Sequence, residues 1–154
     1  MQRIIIADVS CLILLDKINK LDLLKILFHT ITITPEVASE FKNSLPVWIE
    51  FRNVGDKTLQ LFIEKFVDKG EASAIALAKE LRNCLLIIDD LKGRIFAQKN
   101  RIAITGTLGI IIEAKLAGII PTVTPILTLI KETNFRISKK LEFEILERAG
   151  ESHL

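Results

Sequence analysis

Cys84-Leu85-Leu86-Ile87-Ile88-Asp89-Asp90 decides the fold. Five apolar residues run without alternation and stop at two adjacent acids. A strand with one solvated face alternates apolar and polar residues, so an unbroken run marks a strand covered on both faces, as in a parallel sheet. Ile4-Ile5-Ile6-Ala7-Asp8 repeats the design near the N-terminus. Helical patterns lie between and around these runs. Leu12, Leu15, Leu21, Leu24 and Phe28 recur at helical spacing, and Ala74, Leu77, Ala78 and Leu81 mark an alanine-rich helix opened by Gly70-Glu71. Strands alternating with helices predict an α/β/α three-layer sandwich around a central, mainly parallel sheet, formed by one domain over residues 1–154.

Further elements fill in this frame. Thr30-Ile31-Thr32-Ile33-Thr34 alternates with period two and reads as a half-buried strand. Thr34-Pro35-Glu36 opens a helix, with Thr34 as its cap. Asn43–Gly55 reads as a loop holding a short strand within Trp48–Val54, and Asp56–Val67 as a helix whose Leu59, Phe62, Ile63 and Phe66 form one apolar stripe. A surface helix over Lys92–Asn100 precedes a short strand at Arg101–Thr105, closed by a Gly106-Thr107-Leu108-Gly109 turn. Helices follow at Ile110–Ala117, from Thr124-Pro125, and at Ser138–Ala149.

Composition narrows the function classes. The 154 residues are 49% hydrophobic and 26% charged, which excludes wholesale disorder. Seven Gly and two Cys exclude collagen-like and disulfide scaffolds, and Cys11 and Cys84 read as small core residues. The longest uncharged run, Leu116–Ile130, is broken by Pro121 and Pro125 and falls short of the ~18–20 residues that span a bilayer. The apolar N-terminal run is too short for a signal peptide, so a soluble cytoplasmic protein with no membrane partner is expected. There is no G-x-S-x-G, P-loop or G-x-G-x-x-G motif, and two His residues supply neither a zinc set nor a catalytic triad.

What remains is acidic chemistry at the strand ends, where open parallel sheets bind their ligands. Asp8 and Ser10 follow the first strand, Asp89-Asp90 follow the Cys84–Ile88 strand, and Thr105-Gly106-Thr107 closes the next. An acid after a strand is also a common helix cap, but two adjacent acids are costly without a cation. Glu71 heads its helix's apolar stripe, where it either faces inward or complements the helix dipole. Glu40 lies beside Val37 and Phe41 and is either an inward acid or a solvated flank charge. If Asp8, Glu40, Glu71 and Asp90 share a pocket, their oxygen-only donors select a hard ion, Mg²⁺ or Mn²⁺. Such an ion activates water and stabilises charge on a phosphoryl group, which is phosphodiester chemistry.

Asp8-Val9-Ser10, Val37-Ala38-Ser39-Glu40, Gly70-Glu71-Ala72, Ile88-Asp89-Asp90 and Thr105-Gly106-Thr107-Leu108-Gly109 together resemble the PIN-domain ribonucleases. With Gly93-Arg94 completing the second of the Gly-Glu-Ala, Asp-Asp-x-x-Gly-Arg and Thr-Gly-Thr-x-Gly signatures, the order is similar to a PIN-like branch related to VapC-type toxins. The resemblance runs from Ile4 to about Gly150. It implies a Mg²⁺- or Mn²⁺-dependent endoribonuclease. Asp8, Glu40, Glu71 and Asp90 take the catalytic positions, and Asp8, Glu71, Asp89 and Asp90 the metal-binding ones. Ser10 hydrogen-bonds near the metal or substrate, and Thr105 and Thr107 line the site. Independently of the resemblance, Arg94 with Lys92, Lys99 and Arg101 either holds the RNA backbone or forms an ordinary solvated helix face. Asp90 matches the family's usual single acid better than Asp89. Val9 replaces a frequent Thr, and Glu71 stands where many relatives carry Asp. The resemblance also implies a small antitoxin partner and a homodimer, neither of which these residues themselves require.

Two rivals differ in class. A degenerate PIN-like module would bind a protein or RNA partner without cleaving, and a receiver-like phosphoacceptor would carry its acid pair near the first strand, not after a later one. With only Trp48 and no Tyr, base stacking is expected to be weak and backbone clamping dominant. The net charge of +2 fits this picture. Removing Asp8, Glu40, Glu71, Asp89 and Asp90 from the 19 acids leaves 14 against 21 bases, a basic exterior suited to a polyanion.

Overall fold

The computed structural model describes residues 3–151. β1 (Ile4–Ala7) leads through α1 (Val9–Lys17) and α2 (Asp22–Phe28) to β2 (Ile31–Ile33), α3 (Pro35–Glu40) and β3 (Ile49–Phe51). Then come α4 (Lys57–Ile63), α5 (Lys69–Leu81), β4 (Cys84–Ile87), α6 (Leu91–Lys99) and β5 (Ile104–Thr105). α7 (Thr107–Leu116), α8 (Thr124–Lys131) and α9 (Lys139–Ala149) complete the described chain. The strands form one sheet in the order β3-β2-β1-β4-β5, and every pairing is parallel. Helices cover the sheet, making the α/β/α sandwich that the apolar runs predict. Among the described residues, no helix is long and apolar enough to cross a membrane.

The strand order positions the site. From β1 the chain builds outward to β2 and β3, then returns to lay β4 against the other side of β1. The crevice beyond the carboxyl ends of β1 and β4 is therefore the topological switch point. Ala7 pairs with Ile87, and the Asp8 amide extends the ladder by donating to the Ile87 carbonyl at 3.0 Å. That register sets Asp8 beside the Ile88–Asp90 segment. Ile6, Leu86, Ile87 and Ile88 are fully buried beneath it.

Four expectations need correction. β2 is buried on both faces, because β1 and β3 flank it and helices cover it; Thr32 and Thr34 are as enclosed as Ile31 and Ile33. Threonine is tolerated there because Thr34 Oγ1 accepts from the Val37 amide at 3.1 Å and lies 2.7 Å from Ser73 Oγ. The early helical pattern is two helices, since the chain breaks at Asn19, a residue that adopts its φ of 57° more readily than most. α4 ends at Ile63, so Phe66 leaves the apolar stripe; Ile63 is buried while Phe62 and Phe66 are 49% and 53% exposed. β5 keeps only Ile104–Thr105 of the expected strand, because Arg101 takes a φ of 60°. Cys11 and Cys84 are both buried and free, as core residues should be.

Candidate active site

Asp8 stands at the N-cap position of α1, yet its side chain makes no capping hydrogen bond. It is 2% exposed, and its Oδ1 has no hydrogen-bond partner. An ionised carboxylate in that position is strongly disfavoured. Burial pushes its pKa up to about 7; the Val9 amide pulls the other way, and the Asp68, Glu40 and Asp89 carboxylates add to the rise. Capping therefore does not explain Asp8.

Glu71 is the second buried acid, 8% exposed in the first turn of α5. Burial and then the charges of Asp68, Asp8, Asp90 and Glu40 push its pKa up to about 8. Of the two readings open for Glu71, its burial is that of an inward-facing acid, and a protonated carboxyl gives the helix dipole no charge to meet. α5 is fixed by Asp68, whose Oδ1 accepts from the Glu71 amide at 2.9 Å. It is also tied to α3 through Ser73. Ser73 Oγ donates to the Gly70 carbonyl at 2.7 Å, so the Thr34 hydroxyl donates to Ser73. This clasp ties the start of α3 to α5, and α3 then runs on so that its last residue reaches the start of α5. Glu40 consequently lies on Gly70, where a Cβ would collide with its carboxylate. Glu40 is exposed, and burial and then Asp68 raise its pKa.

The two acids after β4 part company. Asp89 Oδ1 accepts from the Thr107 amide at 2.8 Å and Oδ2 from the Thr107 hydroxyl at 2.5 Å, so Asp89 pins the start of α7 to the end of β4. Asp90 is exposed and caps α6, accepting from the Gly93 amide at 3.1 Å. Arg94 Nη1 donates to the Ile88 carbonyl at 2.8 Å, so this expected RNA clamp also braces the strand end. Gly106 keeps Asp89 and Arg94 together, since a Cβ there would sit 2.8 Å from Asp89 Oδ1 and 2.9 Å from Arg94 Nη1. Gly106 is the cap of α7 and Gly109 lies in its first turn, so the expected turn is mostly helix. The Thr107 amide is taken by Asp89. Thr107 is buried, Thr105 is half-buried and Ser10 is exposed in the first turn of α1.

Asp68 is absent from the sequence-derived site. It acts electrostatically on Asp8, Glu40 and Glu71, and it walls two recesses. One, of about 330 Å³, holds Glu40 and Ser39; the other, of about 380 Å³, holds Glu71, Asp90, Phe66 and Lys92. Its signal was an acid three residues before Glu71, the cap position of the alanine-rich helix. A larger cavity, about 690 Å³ among Lys79, Arg82 and Arg101, lies at the far ends of α5 and α6, away from these acids.

The acids thus feel one another's charge at the strand ends but are spread over separate recesses, not gathered in the tight cup the sequence suggests. Among the described residues, no three His, Cys, Asp or Glu side chains converge closely enough to hold a metal ion. The donor chemistry nevertheless suits a hard divalent cation. Asp8 Oδ1 is buried and unpartnered, Glu71 is buried among like charges, and every nearby acid is a carboxylate.

A parallel α/β/α sandwich of this kind defines a class of domains that bind their ligands beyond the carboxyl ends of the strands, at the switch point. Within that class, a family model described as a PIN domain matches residues 4–151, and the chain belongs to the PIN-domain family. Comparisons with curated proteins and with solved structures found no match.

Proposed function

We propose that this chain is a divalent-metal-dependent endoribonuclease. The observation that carries the reading is Asp8: a buried carboxylate with an unpartnered oxygen, at the switch point, surrounded by other acids. Asp8, Glu71 and Asp90 would hold Mg²⁺ or Mn²⁺ once their side chains turn in towards the ion, with Glu40 and Asp68 further out and Asp89 holding Thr107 in place. The bound ion supplies charge stabilisation to the phosphoryl oxygens of the substrate. Ser10 and Thr105 offer hydroxyls at the crevice edge, and the N–H groups of Arg94 left free by Ile88 face a phosphate. Without the ion, Asp8 and Glu71 retain protons near neutral pH, which keeps the site from repelling itself apart.

The finer reading is the toxin of a toxin–antitoxin pair, acting as a homodimer with a small antitoxin partner in the cytoplasm. Its support is the run of Gly70-Glu71-Ala72, Asp89-Asp90-Leu91-Lys92-Gly93-Arg94 and Thr105–Gly109 signatures. A non-cleaving binding module is the second reading, favoured by the spread of the acids. Cleavage of a labelled RNA by wild type, Asp8→Asn and Asp90→Asn, in Mg²⁺ or Mn²⁺ and in EDTA, separates them. The nuclease reading expects metal-dependent cleavage that falls by about 100-fold or more in both variants. Equal cleavage by all three proteins is contamination and defeats it, and binding without cleavage supports the second reading.

A further inference from the structure

We propose that Phe66 is the stacking platform for an unpaired nucleobase beside the scissile phosphodiester. This rests on the ribonuclease reading and deepens it. Phe66 is 53% exposed and lines the same recess as Glu71 and Asp90, so a base on its ring places the attached phosphate next to the acids. The ring is held firmly. Its centroid is 5.5 Å from that of Phe96 and 5.4 Å from that of Phe62, the latter an edge-to-face contact. The backbone beneath is fixed as well, because the Phe66 amide donates to the Ile63 carbonyl at 2.9 Å.

The exposed ring and the mixed charges of the lining together select the occupant. Lys92 lines the recess, and Lys65 lines it too, with its ammonium 5.9 Å from the Phe62 ring centroid. Glu64, Asp68, Glu71 and Asp90 line the same recess, so a phosphate is held there only by the two ammonium groups or by a cation on the acids, while the exposed ring takes the flat base attached to it. A protein partner or a second copy of this chain would gain little from a recess of about 380 Å³ walled by Glu64, Asp68 and Asp90. The expectation of weak stacking looked to Trp and Tyr. The structure instead supplies phenylalanine, freed for this role because α4 ends three residues earlier.

The test compares Phe66→Ala, Phe66→Leu and Phe66→Trp in cleavage of a short single-stranded RNA, with melting to confirm folding and sedimentation to read oligomeric state. Base–aromatic stacking predicts that Phe66→Ala raises KM about ten-fold with kcat nearly unchanged. Phe66→Trp keeps the wild-type KM, and its fluorescence is quenched by the RNA. Phe66→Leu behaves like the alanine variant, since bulk without a π face does not stack. An unchanged KM in Phe66→Ala overturns the proposal while leaving the nuclease reading intact, as does full rescue by leucine. A dimer that dissociates in Phe66→Ala with KM unchanged for the monomer assigns the ring to self-association and overturns it too. A wild-type protein that neither binds nor cleaves RNA removes both readings together.

Discussion

Replacing Asp8 by Asn should stabilise the metal-free protein, and by an amount that depends on pH. Burial and neighbouring carboxylates hold the Asp8 pKa at about 7 in the fold, against about 3.8 for the free group. Such an acid favours the folded state below the unfolded value. That contribution is lost as pH rises towards 7, and the loss is complete above it. At about 1.36 kcal/mol per pH unit, the gap corresponds to at most about 4 kcal/mol against the ionised form. Relaxation of the site reduces this to about 2–4 kcal/mol at pH 8.5. At pH 5 the folded Asp8 is protonated, and less than half of that difference remains. Urea unfolding in EDTA at the two pH values measures it: the advantage of Asp8→Asn should grow by about 1–2.5 kcal/mol between pH 5 and pH 8.5. Adding Mg²⁺ should then stabilise wild type and leave the variant unmoved. A pH-independent difference, or a variant less stable than wild type at pH 8.5, would show that the carboxylate is satisfied in the fold and would refute the reasoning.

Three further perturbations probe the supports of the site. Thr107→Val removes a buried hydroxyl donor from Asp89 and should cost about 2 kcal/mol, whereas Thr107→Ser should cost less than about 1 kcal/mol; urea unfolding distinguishes them. Gly70→Ala pushes aside only the flexible end of Glu40, so the melting temperature should hold or rise while RNA cleavage falls. Glu151 accepts from Lys115 Nζ at 2.9 Å, from the Val123 amide at 2.9 Å and from the Thr124 hydroxyl at 2.8 Å. Desolvation raises its pKa, but these bonds outweigh it and bring the pKa down to about 2. Glu151→Gln should therefore cost about 2 kcal/mol near neutral pH, with the difference closing as pH falls from about 4.5 through 2.

The sheet is legible in the sequence because Ile4–Ala7 and Cys84–Ile87 need no alternation, and acids at their ends mark where the strands stop. β2 is misread for a physical reason: threonine spacing signals a wet face unless the partner of each hydroxyl is known, and Ser73 lies 39 residues away. The crevice acids are legible singly, but their division of labour is not. Nothing in two adjacent aspartates tells that one turns to Thr107 while the other caps α6. Asp68 escapes notice because it reads as loop before a glycine, although its capping of α5 is what aims Glu71. Phe66 escapes because a stripe at helical spacing presumes the helix continues, and α4 stops at Ile63.

The central claim is that the switch-point carboxylates form a site for a divalent cation, and Mn²⁺ binding followed by electron paramagnetic resonance tests it without any assumption about substrate. The account predicts that wild type takes up Mn²⁺ in competition with Mg²⁺, and that Asp8→Asn, though folded and more stable, loses that uptake. Equal uptake by the two proteins, or none by wild type at pH 8, would contradict it.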